Sequence, residues 1–252
     1  MAEISSPGTR VTYGSWREGF RDFPDTLRAL LADERPTSMC DIGGGAQAAL
    51  TVPEVEALGL RYTLLDISPA ELEKSPAEYH KVCADITQPN LAQGLHERFD
   101  LIHSHMLAEH IRKPEVFHSN VFALLNPGGT AIHFMPTLWD PAFVLNRILP
   151  EAVMRRALSI LQPNRRLEFD QGKFPAYYRW CRGPSQKQVN RYRKIGFEIE
   201  VIHAYFGTGY GMRIPGLSRV FDGWTSFFVK HPVPLLTSYC AVVLKKPALV
   251  EH

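Results

Sequence analysis

The chain's most informative segment reads MCDIGGGAQ and covers residues 39–47. Its apolar start predicts a buried strand over 38–42, and the three glycines that follow predict a tight turn. Glycine lets the backbone turn sharply and approach a ligand with no side chain between them. Asp41 stands at the end of the strand, two positions before the turn, where its carboxylate can accept a hydrogen bond from a ligand amine. A turn that binds only phosphate has little use for such an acid.

A second acid lies about 20 residues further on, at the end of another apolar run. The run covers 62–66 and ends at Asp66, which is the spacing expected for an acid that binds ribose hydroxyls. Two acids with a bare backbone between them suit an adenosine that carries a cationic amino-acid tail.

The bulk composition is that of an ordinary globular protein. With 252 residues, the chain is long enough for one large α/β domain with insertions or for two small domains. Its net charge of +2 is too small to indicate nucleic acid as a partner. The four cysteines form no CxxC pair and have no histidine at metal-ligand spacing, so no metal site is predicted. A polar N-terminus and the absence of any run of about 18 apolar residues predict a cytoplasmic protein.

Apolar runs alternate with helical patterns from residue 16 onward, after a stretch over 1–14 that is expected to be a loose leader. Such alternation predicts a parallel sheet that is covered by helices on both faces. The NPGG segment at 126–129 is expected to be a turn. The predicted strands are 38–42, 62–66, 79–84, 99–104, 130–134, 197–205 and 238–244, and the predicted helices are 16–32, 53–58, one from 68, and 114–125.

The regular alternation stops after the predicted strand at 130–134. An amphipathic helix is expected over 141–161, and a segment rich in arginine and aromatic residues follows it. Ser185 and Gln188 fit a capping box that opens a basic helix. The predicted organisation is an N-terminal helical segment (1–37), a core (38–135), an insertion (136–183) and a C-terminal part of the core (184–252) with a second insertion at 207–234.

In this order the motifs resemble those of the class I S-adenosylmethionine-dependent methyltransferases, especially the ubiquinone- and menaquinone-biosynthesis-like group. The resemblance covers about residues 38–134 and implies an α/β fold. The sheet would be doubly wound, Rossmann-like and seven-stranded, mostly parallel with an antiparallel last strand, and with insertions after strands five and six. The matching pieces are DIGGG at 41–45, Asp66, CADI at 83–86, FDLIHS at 99–104, EHI at 109–111 and LLNPGG at 124–129.

The resemblance also implies that individual residues bind S-adenosylmethionine. One departure is Gln47, which stands where the family often has a third glycine. The implied contacts are Asp41 with the methionine amine, directly or through water; Gly43 and Gly45 with the ligand along bare backbone; Asp66 with the ribose hydroxyls; Ile67 with the adenine; Asp85 with the adenine amino group; Ile86 with the adenine ring; and Ser104 and His105 beneath the methionine portion.

Two of these acids have a purely local alternative role. Asp66 could cap the helix that begins near Ser68, because aspartate is a good cap. Asp85 could be a loop residue, since turns tolerate aspartate. For Asp41 the local alternative is weakest, because a carboxylate in a buried strand needs a partner.

Three other chemistries would require different sequence features. A nicotinamide dehydrogenase would use a similar turn and acid, but it has no reason to place Asp41 before the turn. Methyltransferases that act on nucleic bases resemble the pattern Asn/Asp-Pro-Pro-aromatic, and this chain has SHML at 104–107 in that place. Metal-dependent catechol-type methyltransferases carry paired acidic and amide ligands, and the sequence shows no such set.

Methyl transfer to a hydroxyl calls for a base near neutral pH, and histidine is the natural candidate. His103, His105, His110 and His133 are all predicted near the carboxyl ends of two strands, where open α/β sheets bind their ligands. A histidine at such a place can equally be a packing residue. We take His105 and His133 as the catalytic candidates.

The acceptor is expected to bind at the insertions, because loops on a rigid scaffold carry specificity. The arginines and aromatic residues of 165–182 favour an anionic or sugar-bearing acceptor, or a lid that packs on its own rings. The apolar stripe of 141–161 faces the core or rests on a membrane surface. The sequence therefore predicts a methyltransferase for a small molecule or a glycan, acting on oxygen. Methylation of carbon or nitrogen, cofactor binding without methyl transfer, and a nicotinamide enzyme remain alternatives, and the oligomeric state is left open.

Overall fold

The computed structural model of the chain describes residues 9–139, 144, 175–209 and 217–249. The helix predicted over 141–161 and the segment at 165–174 lie outside these residues, apart from position 144.

Eight strands of the described chain form one sheet in the order β1-β7-β8-β6-β5-β2-β3-β4. Strand β8 pairs antiparallel with both β6 and β7, and all other neighbours are parallel. This confirms the mostly parallel, Rossmann-like sheet with an antiparallel last strand. The strands are β1 Arg10–Ser15, β2 Ser38–Ile42, β3 Arg61–Asp66, β4 His80–Cys83, β5 Phe99–His105, β6 Leu125–Pro136, β7 Glu198–Phe206 and β8 Tyr239–Lys245.

Strand β1 is the main departure from the predicted seven strands. Residues 10–14 were expected to belong to a loose leader, but together with Ser15 they pair in parallel with β7, from Arg10 opposite Val201 to Ser15 opposite Phe206. The segment reads RVTYGS and none of its residues is fully buried. A sheet edge needs no long apolar run, so pairing with β7 rather than local pattern makes this segment a strand.

The segment at 126–129 is a second correction. It was expected to be a turn before a short strand, but β6 already begins at Leu125. Phe99 pairs with Leu125 whereas Leu101 pairs with Thr130, so the chain bulges out of register over 126–129. Gly128 adopts a φ of +79° in this bulge, which glycine tolerates best.

Helices cover both faces of the sheet. Helix α1 begins at a capping box, in which Ser15 Oγ accepts from the Glu18 N–H and the Glu18 carboxylate accepts from the Ser15 N–H. As predicted, Ser185 caps α6, with its Oγ accepting from the Gln188 N–H. The helices are α1 Trp16–Glu34, α2 Val52–Leu58, α3 Pro69–Glu73, α4 Leu91–Gly94, α5 Pro114–Leu124, α6 Gln186–Ile195 and α7 Leu217–Lys230, with short 3₁₀ turns at Ala108–His110 and Pro234–Leu236.

The core lies in two apolar layers, one on each face of the sheet. Phe23, Leu27 and Leu31 of α1 pack on one face, at the i, i+4, i+8 spacing of a helix stripe. Helices α5 and α6 bury Phe117 and Val189 on the other face. Because β2 to β6 run in parallel, their carboxyl ends meet at one edge of the sheet, where ligands of such folds bind. Among the described helices, none has both the length and the apolar character needed to cross a lipid bilayer.

Candidate active site

Asp41 lies at the centre of this edge and is almost completely buried. Its Oδ1 accepts from His103 Nδ1 at 2.8 Å, and its Oδ2 accepts from the Tyr62 hydroxyl at 2.7 Å and the Ala49 N–H at 2.9 Å. Burial alone would raise the pKa of Asp41, but the His103 charge and these hydrogen bonds outweigh it and leave the pKa lowered. The carboxylate therefore stays ionised, and it joins β2, β3 and β5 to the segment that follows the glycine turn.

The glycine turn has the geometry that the sequence predicted. Gly43 and Gly45 have φ values of +75° and +34°. A Cβ on Gly43 would lie 3.0 Å from the Leu107 side chain, and a Cβ on Gly45 would lie 2.9 Å from Glu71 Cβ. Gln47, at the place of the family's third glycine, donates its N–H to the Gly44 carbonyl at 2.6 Å. The turn therefore closes without that glycine.

Asp66 bonds the chain just before α3, but Ser68 and not Asp66 is the N-cap residue of that helix. The Asp66 Oδ1 accepts from the Ser68 N–H at 2.8 Å, which orders the chain before α3. Partial burial, the largest cause, raises the pKa of Asp66. The Ile67 N–H also interacts with this carboxylate, and both backbone contacts act to lower its pKa, though burial outweighs them. The neighbouring Ile67 is 59% exposed, so an apolar side chain stands open beside this carboxylate.

Asp85 and Ile86 follow β4. Asp85 Oδ1 accepts from the Thr87 N–H at 2.8 Å and from the Thr87 hydroxyl at 2.7 Å, so one oxygen of this acid stabilises its own loop. Ile86 is buried in the apolar layer beneath α5, and its carbonyl accepts from the Asn120 side chain at 2.7 Å. The structure places both residues at the predicted edge, with Ile86 directed largely to the interior.

His105 ends β5 on the sheet face that also carries His103. Its ring stacks at 5.7 Å from Phe23 and 5.4 Å from Phe134, yet the residue keeps an exposed surface. Neither ring nitrogen has a hydrogen-bond partner among the described residues. Burial of part of the ring, and then the charge of His103, lower the pKa of His105. The next residue, Met106, has a φ of +53°, a conformation that is uncommon outside glycine and that turns the chain away from the strand.

Ser104 and His133 lie on the opposite face of the sheet. Ser104 Oγ and His133 Nδ1 are 2.7 Å apart, and both residues are completely buried. Burial lowers the pKa of His133 to about 3. The structure therefore does not bring the two predicted catalytic histidines together: His105 reaches the surface at the carboxyl edge, and His133 is enclosed between the sheet and α5.

Glu109 is a buried acid that sequence reasoning quoted only as part of a motif. Its side chain is almost fully enclosed, and its Oε2 has no hydrogen-bond partner among the described residues. Burial raises the pKa of Glu109 to about 8. Its backbone carbonyl accepts from the N–H groups of Tyr177 and Tyr178, which fastens the end of the insertion to the segment after β5. No local signal distinguishes this glutamate from an exposed one.

At the described ends of the 136–183 insertion, aromatic rings are in contact with arginines. The Arg182 guanidinium lies 5.7 Å from the Trp139 ring centre, and the Arg112 guanidinium lies 5.4 Å from that of Tyr177. Such contacts occur in a self-packed lid and in a surface for an acceptor alike. The acceptor role of the insertion therefore stays a prediction.

Several residues that shape this edge were missed from the sequence. Tyr62 was noted only as the start of a strand pattern, but its hydroxyl bonds Asp41. Phe20 and Phe23 lie in the helix predicted over 16–32, and their rings contact that of His105. Their i, i+3 spacing signalled a helix face, and nothing in it indicated which strand that face would meet.

Comparison with known proteins identifies the family of this chain. Residues 15–198 match the methyltransferase domain family. No curated protein matches the sequence. Among solved structures, the [4+2]-cyclase SpnF is similar with 13% identity, a TM-score of 0.55, and coverage of 94% of this chain and 85% of SpnF.

Two solved methyltransferases are similar to about the same degree. N-methyltransferase NodS from Bradyrhizobium japonicum, in complex with S-adenosyl-L-homocysteine, has 14% identity and a TM-score of 0.50 over 92% of this chain and 91% of NodS. A SAM-dependent methyltransferase from Archaeoglobus fulgidus has 13% identity and a TM-score of 0.52 over 92% and 98%. At such identities the likeness to solved structures shows the fold alone. The family match covers most of the chain, and the protein therefore belongs to the methyltransferase domain family as a class I enzyme that uses S-adenosylmethionine.

Proposed function

We propose that this enzyme methylates a hydroxyl group of a small molecule or a glycan, with His105 as the base. The proposal rests on the exposure, the hydrogen bonding and the position of the His105 side chain. Its imidazole is exposed, has no hydrogen-bond partner among the described residues, and stands at the carboxyl end of β5. A lowered pKa keeps the ring neutral near pH 7, and only the neutral ring can accept a proton.

The residues present fit an S-adenosylmethionine molecule across the ends of β2, β3 and β4. The turn at 43–45 presents bare backbone, because a Cβ on any of its glycines would lie 3.0 Å or less from a protein side chain. Beside it, the exposed Ile67 follows the partly buried carboxylate of Asp66. We propose that Asp66 binds the ribose hydroxyls and that Ile67 packs on the adenine. For Asp41 we propose the water-mediated contact with the amine, because three protein donors already use its carboxylate.

The remaining cofactor contacts follow from the ends of β4 and β5. We propose that the second oxygen of Asp85 accepts from the adenine amino group and that the edge of Ile86 borders the ring. Ser104 is completely buried, so it supports the floor beneath the methionine portion through its bond to His133. The adjacent His105, by contrast, is exposed at the end of β5.

The protein's own residues have few chemical tasks in this reaction. Bound S-adenosylmethionine supplies a methyl group on a positively charged sulfur, and transfer is an in-line displacement that alignment and exclusion of water accelerate. His105 accepts the hydroxyl proton while the acceptor oxygen forms its bond to the methyl carbon, and the imidazolium then releases the proton to solvent. We assign the base to His105 rather than to His133, since His133 is enclosed and has its pKa lowered to about 3.

Two further parts of the proposal concern the acceptor and the setting. We propose that the insertion at 136–183 recognises the acceptor, because Glu109 fastens its end beside the carboxyl edge. We also propose that the enzyme acts in the cytoplasm.

Methylation of nitrogen or carbon is the first alternative, and NodS, an N-methyltransferase, shares the fold. Cofactor binding without methyl transfer is the second, because SpnF, a [4+2]-cyclase, shares it as well.

The cofactor half of the proposal is tested by calorimetric titration with S-adenosylhomocysteine and with NAD. We expect S-adenosylhomocysteine to bind and NAD not to bind. Asp66→Asn keeps an oxygen for the Ser68 N–H but loses the charge, so we expect at least tenfold weaker binding. Asp25→Asn is the matched control, because Asp25 is 70% exposed on α1, and it should bind as the unaltered protein does. Equal affinity of the two variants would remove Asp66 from the site.

The transfer half is tested with isotope-labelled S-adenosylmethionine and a metabolite extract. Mass spectrometry of the labelled product identifies the methylated atom. His105→Gln should lower the transfer rate by a factor of 10² to 10⁴, the usual contribution of a general base, with unchanged affinity for S-adenosylhomocysteine. Label on nitrogen or carbon would contradict the proposed acceptor atom, and an unchanged rate would contradict the assigned base.

A further inference from the structure

We infer that the acceptor is a compact, planar aromatic compound that presents a phenolic hydroxyl, bound against Phe20 with its oxygen at His105. This inference rests on the proposed function and names the substrate class for that same site. The observation behind it is a cluster of aromatic rings at the carboxyl edge. We call this cluster the Phe20 wall and define it as Trp16, Phe20, Phe134 and Tyr239.

The Phe20 wall is a set of edge-to-face contacts around one partly open ring. The Phe20 ring centre lies 5.1 Å from that of Phe134 and 5.0 Å from that of Tyr239, at angles of 65° and 75°. The rings of Trp16 and His105 lie at 6.3 and 6.1 Å, again edge to face. Phe134 and Tyr239 are buried, whereas Phe20 keeps 37% of its surface exposed. An open aromatic surface therefore stands beside the exposed imidazole.

Local structure holds Phe20 in this place. The capping box of Ser15 and Glu18 fixes the start of α1 at Trp16, four residues before Phe20. Gly19 allows a close approach to β7, because a Cβ there would lie 2.8 Å from the Tyr205 ring. The wall is therefore a rigid surface, and a rigid surface selects a ligand at a smaller loss of conformational entropy than a mobile one.

The wall also lies next to the proposed methyl donor. His105 follows His103 by two residues, about 7 Å along an extended strand. His103 bonds Asp41, which stands at the start of the glycine turn. An acceptor that rests on Phe20 and reaches His105 therefore lies within one small-molecule length of the proposed methionine portion.

The surroundings of His105 favour an aromatic acceptor over a sugar. In the described part of the chain, the rings that contact His105 are those of Phe20, Phe23 and Phe134. A planar ring packs against such a surface edge to face or offset, with favourable interaction between the π systems. A sugar would bring several hydroxyl groups that lose water and find no hydrogen-bond partner on these rings, which is unfavourable.

The acidity of the hydroxyl supports the same class. A phenol has a pKa of about 10, as tyrosine does, whereas water has a pKa of about 16 and aliphatic hydroxyls resemble it. The lowered pKa of His105 makes it a weak base, so it is closer in strength to a phenolate than to an alkoxide. In the balanced step, the phenol proton moves to His105 and an oxygen electron pair forms the C–O bond. The S–C bond breaks with its pair remaining on sulfur, which leaves S-adenosylhomocysteine.

The experiment measures transfer of labelled methyl groups to two panels of probes. The first contains phenols of increasing size: phenol, 2-naphthol and 4-methylumbelliferone. The second contains methyl glucoside and methyl galactoside. We expect transfer to at least one phenol and none to the glycosides. Phe20→Ala should raise KM for that phenol at least tenfold with less than a threefold change in kcat, and Phe20→Leu should fall between. Phe227→Ala is the control, because Phe227 is an exposed ring on α7, and it should change neither constant.

The outcomes separate this inference from the proposed function. Transfer to a glycoside and to no phenol overturns the inference and leaves O-methylation standing. Binding of S-adenosylhomocysteine with transfer to neither panel also overturns it, as does an unchanged phenol KM in Phe20→Ala. Failure to bind S-adenosylhomocysteine at all contradicts the proposed cofactor site instead.

Discussion

His103 donates from Nδ1 to Oδ1 of Asp41 across 2.8 Å, and both side chains are buried where β5 lies beside β2. Breaking a buried hydrogen bond to a carboxylate costs more than breaking an exposed one, because the carboxylate is left without water. The pair therefore ties the proposed cofactor site to the strand that carries His105.

The first prediction concerns the Tyr62 hydroxyl, which is also hydrogen-bonded to Asp41. Tyr62→Phe removes the 2.7 Å hydrogen bond to Asp41 Oδ2, so we expect a loss of roughly 1.5–3 kcal/mol in the free energy of unfolding, as for hydrogen bonds to charged groups. Tyr192→Phe is the matched variant, because the Tyr192 hydroxyl is equally buried but has no hydrogen-bond partner among the described residues. It should be neutral or slightly stabilising. Urea unfolding measures both, and equal losses would mean that the Asp41 network does not contribute.

The glycine turn gives the second prediction. Gly45→Ala places a Cβ 2.9 Å from Glu71 Cβ at a φ of +34°, so we expect lower stability and at least tenfold weaker binding of S-adenosylhomocysteine. Gly223→Ala is the control: a Cβ there meets nothing within 4 Å inside α7. Alanine is the better helix former, and this variant should gain about 0.5–1 kcal/mol. Thermal unfolding measures the stability of both variants, and calorimetry measures their affinity. Full affinity for S-adenosylhomocysteine in Gly45→Ala would contradict a role of the glycine turn in binding.

His105 gives the third prediction, a dependence of rate on pH. Burial lowers its pKa below the ordinary value near 6.5, so the neutral base persists at pH 6.5 and the acid limb of kcat/KM should have its midpoint below that pH. His105→Gln should abolish this limb. His231→Gln, at an exposed ring beside Phe227, should retain it. An acid limb that survives in His105→Gln would assign the titration to another group.

Glu109 gives the fourth prediction, a dependence of stability on pH. Its folded-state pKa is raised to about 8, so the folded chain holds a proton that the unfolded chain releases above about pH 4.5. The contribution of Glu109 to stability is thus fully present below pH 4.5 and is lost as the pH rises toward 8, at up to about 1.4 kcal/mol per pH unit. Glu109→Gln should flatten urea unfolding free energies between pH 5.5 and 8.5. Glu115→Gln, at an exposed site on α5, should keep the slope of the unaltered chain.

Much of the fold was predictable because its signals are local. The strand at 38–42 and the helices around 53–58 and 114–125 follow from apolar spacing and from Gly and Pro boundaries. The described structure confirms them with small shifts of their ends. Strand β1 was missed because an edge strand needs only a partner, and β7 lies far away in sequence. The bulge at 126–129 was missed because register is a property of two strands.

The amino-acid sequence by itself determined the alternation of strands and helices, the glycine turn and the acids at the strand ends, since these depend on neighbours within a few residues. Only the tertiary structure decided which groups meet. It joined His103 and Tyr62 to Asp41, turned His105 to the surface among the rings of α1, and enclosed His133 on the other face. The physical reason is that adjacent residues of a strand point to opposite faces, while burial and pKa depend on the elements that pack over each face.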